Sequence, residues 1–243
     1  MERKISTYQQ SLNLTIKNLK SMIRDRVQLV WMFGYPLLFM LLYKFAFEPG
    51  VFELMVPGVL IAGPTIIISQ LAAHFAEEKE SGTLQRLITT PVSRSTILLS
   101  GLYSQLIVGA IQIIIFLALA FLFQGDIHSN ANLFLMFLIP LLVTFSSLGF
   151  GLLLASFVKT GGSASGIAWF IILPLQFLGG VVTYPAFLPF LPTGLAVDAL
   201  RLVMSYGIIS FEEIGLRLIY IFIWGIVITI LGVVLFQRKT AIM

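Results

Sequence analysis

Six long apolar segments constrain the fold of this chain more than any other feature of its sequence. A helix needs about 20 mostly apolar residues to cross the hydrocarbon core of a bilayer. The segments that meet this requirement are 27–47, 56–75, 97–123, 132–158, 163–182 and 215–236. Because lipid offers no hydrogen-bond partner to an exposed backbone, each segment is expected to be a helix. We therefore predict an all-α integral membrane protein with six transmembrane helices.

The composition agrees with this class and excludes others. Of the 243 residues, 58% are hydrophobic and only 11% are charged, whereas a soluble domain carries about 25% charged residues. The chain has no cysteine and only two histidines, His74 and His128, which argues against disulfides and a structural metal site. Its excess of cations flanks apolar segments, so it indicates orientation rather than nucleic-acid binding. We expect one domain, residues 1–243, with no cofactor of its own.

The distribution of cations predicts how the chain is oriented. Six spans place both termini on one side of the membrane, together with the loops that follow the second and fourth spans. Of the 15 Lys and Arg residues, only Lys44, Arg201 and Arg217 fall on the other side. The cation-rich side of a membrane protein faces the cytoplasm. We therefore predict a multi-pass protein of the cell membrane with both termini in the cytoplasm.

The residues before the first span, about 5–26, have the pattern of an amphipathic helix. Apolar side chains recur every three or four residues and cations such as Lys17 and Lys20 lie on the opposite face. Such a helix is typical of the membrane interface, where its cations meet anionic headgroups. A soluble amphipathic helix packed on a partner is the alternative.

Polarity inside the spans comes from amides and hydroxyls. The sequence offers no charged residue at mid-depth, which argues against an ion-coupled carrier or proton pump. Two interpretations of the buried amides remain open: they line a substrate path, or they form hydrogen bonds that hold the helices together. The glutamines concerned are Gln70, Gln105, Gln112 and Gln176.

An apolar but broken segment separates the fifth and sixth spans. Its prolines interrupt any continuous helix, although its residues remain apolar. This combination predicts short re-entrant helices that dip back into the external leaflet, and a plain hydrophobic loop is the alternative. The residues assigned to this external hairpin are Pro185, Phe187, Pro189, Pro192 and Arg201.

The one long polar interruption predicted to lie in the cytoplasm between two spans is residues 77–96, EEKESGTLQRLITTPVSRST. It begins with the carboxylates of Glu77, Glu78 and Glu80, which cannot enter the bilayer, so the second helix must emerge by about His74. Gly82 then permits a sharp change of chain direction. A loop that only linked two spans would not need these features, so the segment is expected to have a function of its own.

The second half of this segment predicts a short helix and the start of the third span. Leu84, Leu87 and Ile88 form an apolar stripe at helical spacing. Pro91 is expected to stop this helix, and Ser93 is well placed to cap the next one. We predict a short helix that lies along the membrane or against a partner.

The sequence EEKESGTLQRLITTPVSR resembles the motif of the type-two ABC exporter permeases, the family that includes daunorubicin-resistance, nodulation-factor and polysaccharide export permeases. In that family the segment lies between the second and third spans and couples the permease to its nucleotide-binding subunit. The matching positions are Glu77, Glu78, Gly82, Thr83, Leu84, Leu87, Thr90, Pro91, Val92 and Ser93.

The resemblance extends over nearly the whole chain. It includes the N-terminal interface helix, the six spans and the sequence LPTGLAVDALR before the last span. One departure is Leu191, where the family often has Asn, and it concerns the external hairpin. The resemblance implies a second permease copy or homologue and a separate ATP-binding subunit, which holds the ATP and Mg. It also implies export of a hydrophobic or amphipathic cargo, such as a drug, a lipid-linked molecule or a glycan.

The sequence lacks the phosphate-binding pattern G-x-x-x-x-G-K-[ST], so the chain is not expected to be an enzyme by itself. Two alternatives to the permease remain. One is a membrane-embedded lipid-modifying enzyme that uses His74, Glu77 and Glu78 as an acid-base or metal cluster. The other is a passive channel or scaffold.

Overall fold

A computed structural model describes residues 7–48, 50–89, 92–123, 127–183, 185–206 and 211–240. Within these ranges the chain is helical and has no strand. The helices are α1 (Thr7–Arg24), α2 (Arg26–Phe45), α3 (Val51–Glu80), α4 (Thr83–Ile88), α5 (Arg94–Leu122), α6 (Leu133–Phe157), α7 (Gly161–Leu178), α8 (Pro192–Tyr206) and α9 (Phe211–Thr240). Six of them, α2, α3, α5, α6, α7 and α9, are long and apolar enough to cross a membrane. The prediction of an all-α protein with six spans is confirmed.

Several span boundaries differ from the sequence-based prediction, among them the ends of α3 and α7. The second span was predicted over 56–75, but α3 continues to Glu80, because the side chains of its polar end find partners within the chain. The fifth span was predicted to reach residue 182, but α7 ends at Leu178. Gly180, two residues later, has φ +74°, a conformation that a helix cannot contain.

The second span, α3, is the central helix of the bundle. In its most apolar stretch 78% of the residues are buried, and it contacts α2, α5, α6, α7 and α8. A Cβ atom on Gly58 would lie 2.0 Å from the carbonyl oxygen of Val181. The chain that leaves α7 therefore packs backbone to backbone against α3, and only glycine allows this approach.

The sixth span, α9, lies at the periphery and packs mainly on α6. A Cβ atom on Gly149 would lie 2.5 Å from the backbone nitrogen of Thr229, and one on Gly232 would lie 2.7 Å from the carbonyl oxygen of Gly149. Small residues let these two helices approach closely, as is common between membrane helices. The rest of α9 is largely exposed and is available to lipid or another subunit.

The external segment before the last span contains one helix among its described residues, α8, of 15 residues. Ala196, Leu200 and Val203 on its inner face are fully buried in the bundle, so protein covers one side of the helix. Re-entry into the outer leaflet stays a prediction.

Both ends of the described chain lie at the same end of the bundle. The Lys17 ammonium of α1 lies 3.1 Å from the Glu78 carboxylate at the end of α3. The Lys239 ammonium near the end of α9 lies 3.8 Å from the centre of the Phe157 ring at the end of α6. This arrangement is the one that six spans require. We call it the predicted cytoplasmic end.

The N-terminal helix α1 presents two different faces. Thr15, Asn18 and Met22 are buried against the bundle, mainly against α5. Tyr8 and Ile23, members of the predicted apolar face, are exposed by 75% and 67%. Leu19 of this face packs against the bundle, but most of the face is exposed and is free for the membrane interface or a partner.

Candidate functional site

The chain reverses direction between α3 and α4 at the predicted cytoplasmic end. Helix α3 ends at Glu80 and α4 begins at Thr83, so two residues make the turn. Gly82 has φ +68°, and a Cβ atom there would meet nothing within 4 Å. Glycine is favoured at this position by backbone conformation and not by lack of space. The expected change of direction at Gly82 is confirmed.

Among the described side chains of the short helix α4, Leu84 anchors it to the bundle. Leu84 is only 5% exposed and packs in a cluster with Phe75, Ile97 and Phe236. Gln85 and Arg86 are exposed. The apolar side of α4 thus binds its own chain at Leu84, and the polar side is available to a partner.

Four other residues predicted for this region belong to its second half. Ser93 caps α5, because its hydroxyl accepts a hydrogen bond from the Thr96 backbone N–H at 3.1 Å. This confirms the predicted cap. Thr90 and Pro91 lie outside the described residues, as does the side chain of Leu87.

The three carboxylates at the end of α3 point in different directions. Glu78 is buried, with 8% exposure, and it pairs with Lys17 of α1 at 3.1 Å. Glu80 accepts a hydrogen bond from the Gly161 backbone N–H at 3.1 Å. Glu77 is exposed, and its side chain lies over Gly161, where a Cβ atom would be 2.3 Å from Glu77 Cγ. Glu78 and Glu80 therefore join α3 to its neighbours.

Lys79 adds a fourth connection at the same level. Its ammonium donates to the carbonyl oxygen of Ala155 in α6 and lies 4.8 Å from the centre of the Phe236 ring in α9. The end of α3 is thereby attached to α1, α6, α7 and α9. These contacts connect the end of α3, which precedes α4 by two residues, to four other helices.

A cleft of about 300 Å³ opens beside this region, between α2, α3 and α7. Its floor is one face of α3, on which Ser69, Gln70, Ala73, His74 and Glu77 recur at helical spacing. The remaining walls come from Asp25 and α2 on one side and from α7 on the other. The lining residues are Asp25, Val27, Gln28, Trp31, Ile66, Ser69, Gln70, Ala73, His74, Glu77, Ser165 and Trp169.

Polar groups within the cleft lack partners in the described part of the chain. Gln70 is only 6% exposed, and neither its amide nitrogen nor its amide oxygen has a hydrogen bond among the described residues. The same is true of His74 Nε2. Buried polar atoms are nearly always paired with protein, water or ligand. These atoms are therefore open to pairing with water or with a polar group of a ligand.

A π-helical turn shapes the α2 wall of this cleft. Residues Val30–Gly34 form the turn, and Gln112 Nε2 of α5 donates to the carbonyl oxygen of Met32 at 2.7 Å. Such turns widen a helix locally and occur often at functional sites. The bond fixes the segment that carries Trp31.

The four predicted glutamines therefore have different roles. Gln112 and Gln176 form hydrogen bonds between helices, and Gln176 accepts from the Tyr35 hydroxyl and donates to the Thr65 hydroxyl at 2.7 Å. The interhelical interpretation applies to these two. Gln70 lines the cleft, whereas Gln105 is buried in α5 and does not line it.

The predicted external residues lie at the opposite end of the bundle. The Arg201 guanidinium lies 3.5 Å from the Asp198 carboxylate and donates to the carbonyl oxygen of Leu54 at 3.3 Å, so it attaches α8 to the start of α3. Phe187 is 71% exposed. Pro185 and Pro189 are exposed beside them, and Pro192 begins α8.

The acid-base cluster of the enzyme alternative is divided in the structure. His74 and Glu77 share the cleft, but Glu78 turns away to Lys17. Among the described residues, no group of three or more His, Asp or Glu side chains is arranged to hold a metal ion. Sequence reasoning did not identify Asp25 or Lys17 as site residues. The helical spacing of Gln70, His74 and Glu77 is the sequence feature that could have indicated the cleft.

Comparison with known proteins gives one family. The model of the ABC-2 type transporter family matches residues 9–206, a range that includes the α3–α4 turn, the cleft and α8. No curated protein matches the chain.

Proposed function

This chain belongs to the ABC-2 type transporter family and is the membrane-spanning permease of an ABC transporter, and we propose that it exports a hydrophobic or amphipathic cargo from the cytoplasm or inner leaflet. The family implies an ATP-binding partner in general. We further propose that the working unit contains two permease chains, identical or homologous, and two ATP-binding subunits that hold ATP and Mg. Both chain termini face the cytoplasm in this proposal.

The observation that carries the proposal is the attachment of α4 to the helix bundle. Leu84 anchors α4 in a buried cluster, while Gln85 and Arg86 face outward. An ATP-binding subunit that docks on the outward face would push on α4 when it closes around ATP. The turn at Gly82 passes this displacement to the end of α3.

From α3 the displacement spreads through the contacts of its last turn. Glu78 acts on α1 through Lys17, Glu80 acts on α7 through the Gly161 N–H, and Lys79 acts on α6 and α9. Rigid-body shifts of packed helices are a common way in which a distant ligand changes access to a central site. Here they would alternate the bundle between inward and outward access.

Two substitutions at Gly82 test this route. Gly82→Val should disfavour the turn, because a β-branched residue is strained at φ +68°, whereas Gly82→Asn should preserve it, since asparagine tolerates this conformation. Space around the position is ample in both cases. We expect Gly82→Val to insert normally but to lose transport and cargo-stimulated ATP hydrolysis in the reconstituted complex, and Gly82→Asn to retain both. Equal activity of the two variants would contradict the route.

A further inference from the structure

The cleft between α2, α3 and α7 holds a buried amide without a partner in the described chain. Gln70 is 6% exposed and its two polar atoms form no hydrogen bond among those residues. Leaving such a group unpaired is unfavourable. A ligand that bonds to this amide would offset that cost, so Gln70 marks the inner end of a binding site.

The charges that line the cleft are of one sign. Asp25, before α2, and Glu77, near the end of α3, both line the cleft. Asp25 is also the N-cap of α2, and its Oδ1 accepts the Gln28 backbone N–H at 3.0 Å. Neither lysine nor arginine is among the described lining residues. The nearby cation Lys17 is already paired with Glu78, at 3.1 Å. The cleft therefore attracts a cation and repels an anion.

Aromatic side chains complete the lining. Trp31 lies on the α2 wall and Trp169 lies on the α7 wall, while Trp169 also packs edge-on against Tyr35, with ring centres 5.5 Å apart. An indole ring is the best aromatic partner for a cation and also offers apolar area to the body of a ligand. Carboxylates and tryptophans together favour an organic ammonium over a hydrated metal ion.

We propose that this cleft binds the cationic end of an amphipathic organic cargo, a protonated or quaternary amine attached to an apolar body. The two carboxylates attract the cation, the Gln70 amide pairs with a polar group of the ligand, and Trp31 and Trp169 pack on its apolar part. This inference rests on the proposed function, since it names the chemical class of what the permease carries. It excludes anionic cargo from this cleft.

Two probes of the same shape and opposite charge test the inference. Tetraphenylphosphonium and tetraphenylborate are incubated with the purified chain in detergent, without ATP or an ATP-binding subunit, and binding is measured by equilibrium dialysis. Detergent micelles without protein give the background for each probe. We expect saturable binding of the cation and none of the anion.

Substitutions then locate the bound cation. Asp25→Asn removes a charge but keeps an N-cap side chain, and it should weaken binding about threefold to fivefold, as the loss of an exposed ion pair does. Glu77→Gln should act similarly. Gln70→Leu should weaken binding of a polar-substituted amine probe, such as ethidium, about tenfold. Glu53→Gln, a carboxylate at the other end of α3, is the matched control and should leave affinity unchanged.

Equal binding of the two tetraphenyl probes, or unchanged cation affinity in Asp25→Asn and Glu77→Gln, would overturn the inference. Because these measurements omit the ATP-binding subunit, they are independent of the coupling route. A complex with coupled ATP hydrolysis that binds no cation would contradict the cargo class alone. A chain that binds the cation but never associates with an ATP-binding subunit would contradict the proposed exporter.

Discussion

The ion pair between Lys17 and Glu78 connects the N-terminal helix to the central span, and its strength can be measured directly. The two charges lie 3.1 Å apart, with side-chain exposures of 49% and 10%. At an effective dielectric constant of 20, their gross attraction is about 5 kcal/mol. Burial of the Glu78 carboxylate opposes most of this attraction. Exposed pairs contribute about 0.2–1 kcal/mol, and this half-buried pair should have a coupling energy of about 1–2 kcal/mol.

A double-mutant cycle isolates that energy. Lys17→Met leaves the buried carboxylate without its cation and should lower the free energy of unfolding by about 2 kcal/mol, whereas Glu78→Gln replaces the charge by an amide that is easier to bury. Adding Glu78→Gln to Lys17→Met should therefore restore part of the lost stability. Unfolding by SDS in mixed micelles, followed by tryptophan fluorescence, supplies the four values. Lys20→Met, at an exposed position of the same helix, is the control and should stay within about 0.5 kcal/mol.

Additivity of the two substitutions within about 0.3–0.5 kcal/mol, the usual agreement for independent sites, would contradict this coupling energy. In that case Lys17 and Glu78 are neighbours without energetic coupling, and α1 receives no force through this pair.

Two further predictions concern topology and packing. Cysteines at Ser129 and Lys159, both exposed, should react differently with an impermeant thiol reagent added outside intact cells. Only Ser129→Cys should be labelled. The reverse pattern would contradict the predicted orientation. Gly149→Ala would place a Cβ atom 2.5 Å from the Thr229 backbone nitrogen and should destabilise the α6–α9 contact by about 1–3 kcal/mol. In Gly166→Ala the added Cβ atom meets nothing within 4 Å, and the substitution should stabilise α7 by about 0.5–1 kcal/mol. Equal thermal unfolding of the Gly149→Ala and Gly166→Ala variants would refute the close packing of α6 on α9.

The spans and the α3–α4 turn were predictable because their causes are local. Long apolar runs require helices in lipid, and the positive φ of Gly82 and the cap at Ser93 follow from the properties of single residues. The helix α4 was predictable for the same reason. The contacts of its apolar stripe were not predictable, because they depend on distant parts of the chain. Leu84 packs into a cluster formed by α3, α5, α6 and α9.

The partners of the charged residues could not be read from the sequence. Glu78 pairs with Lys17, 61 residues away, and Glu80 pairs with Gly161, 81 residues away, because the bundle brings distant helix ends together. The walls of the cleft could not be predicted for the same reason. Its α3 face was visible as a helical repeat of polar residues, but Trp31 and Trp169 come from two other helices.

The central claim is that the outward face of α4 receives the ATP-binding subunit, and photo-cross-linking tests it most directly. A photoreactive amino acid replaces Gln85 on α4 or, as a control, Tyr103, which is 50% exposed on the third span. Each variant is co-expressed with the ATP-binding subunit and irradiated. We predict a covalent adduct between the two subunits from position 85 and none from position 103. A complex that forms normally but gives no adduct from position 85, or from Arg86 beside it, would contradict the claim.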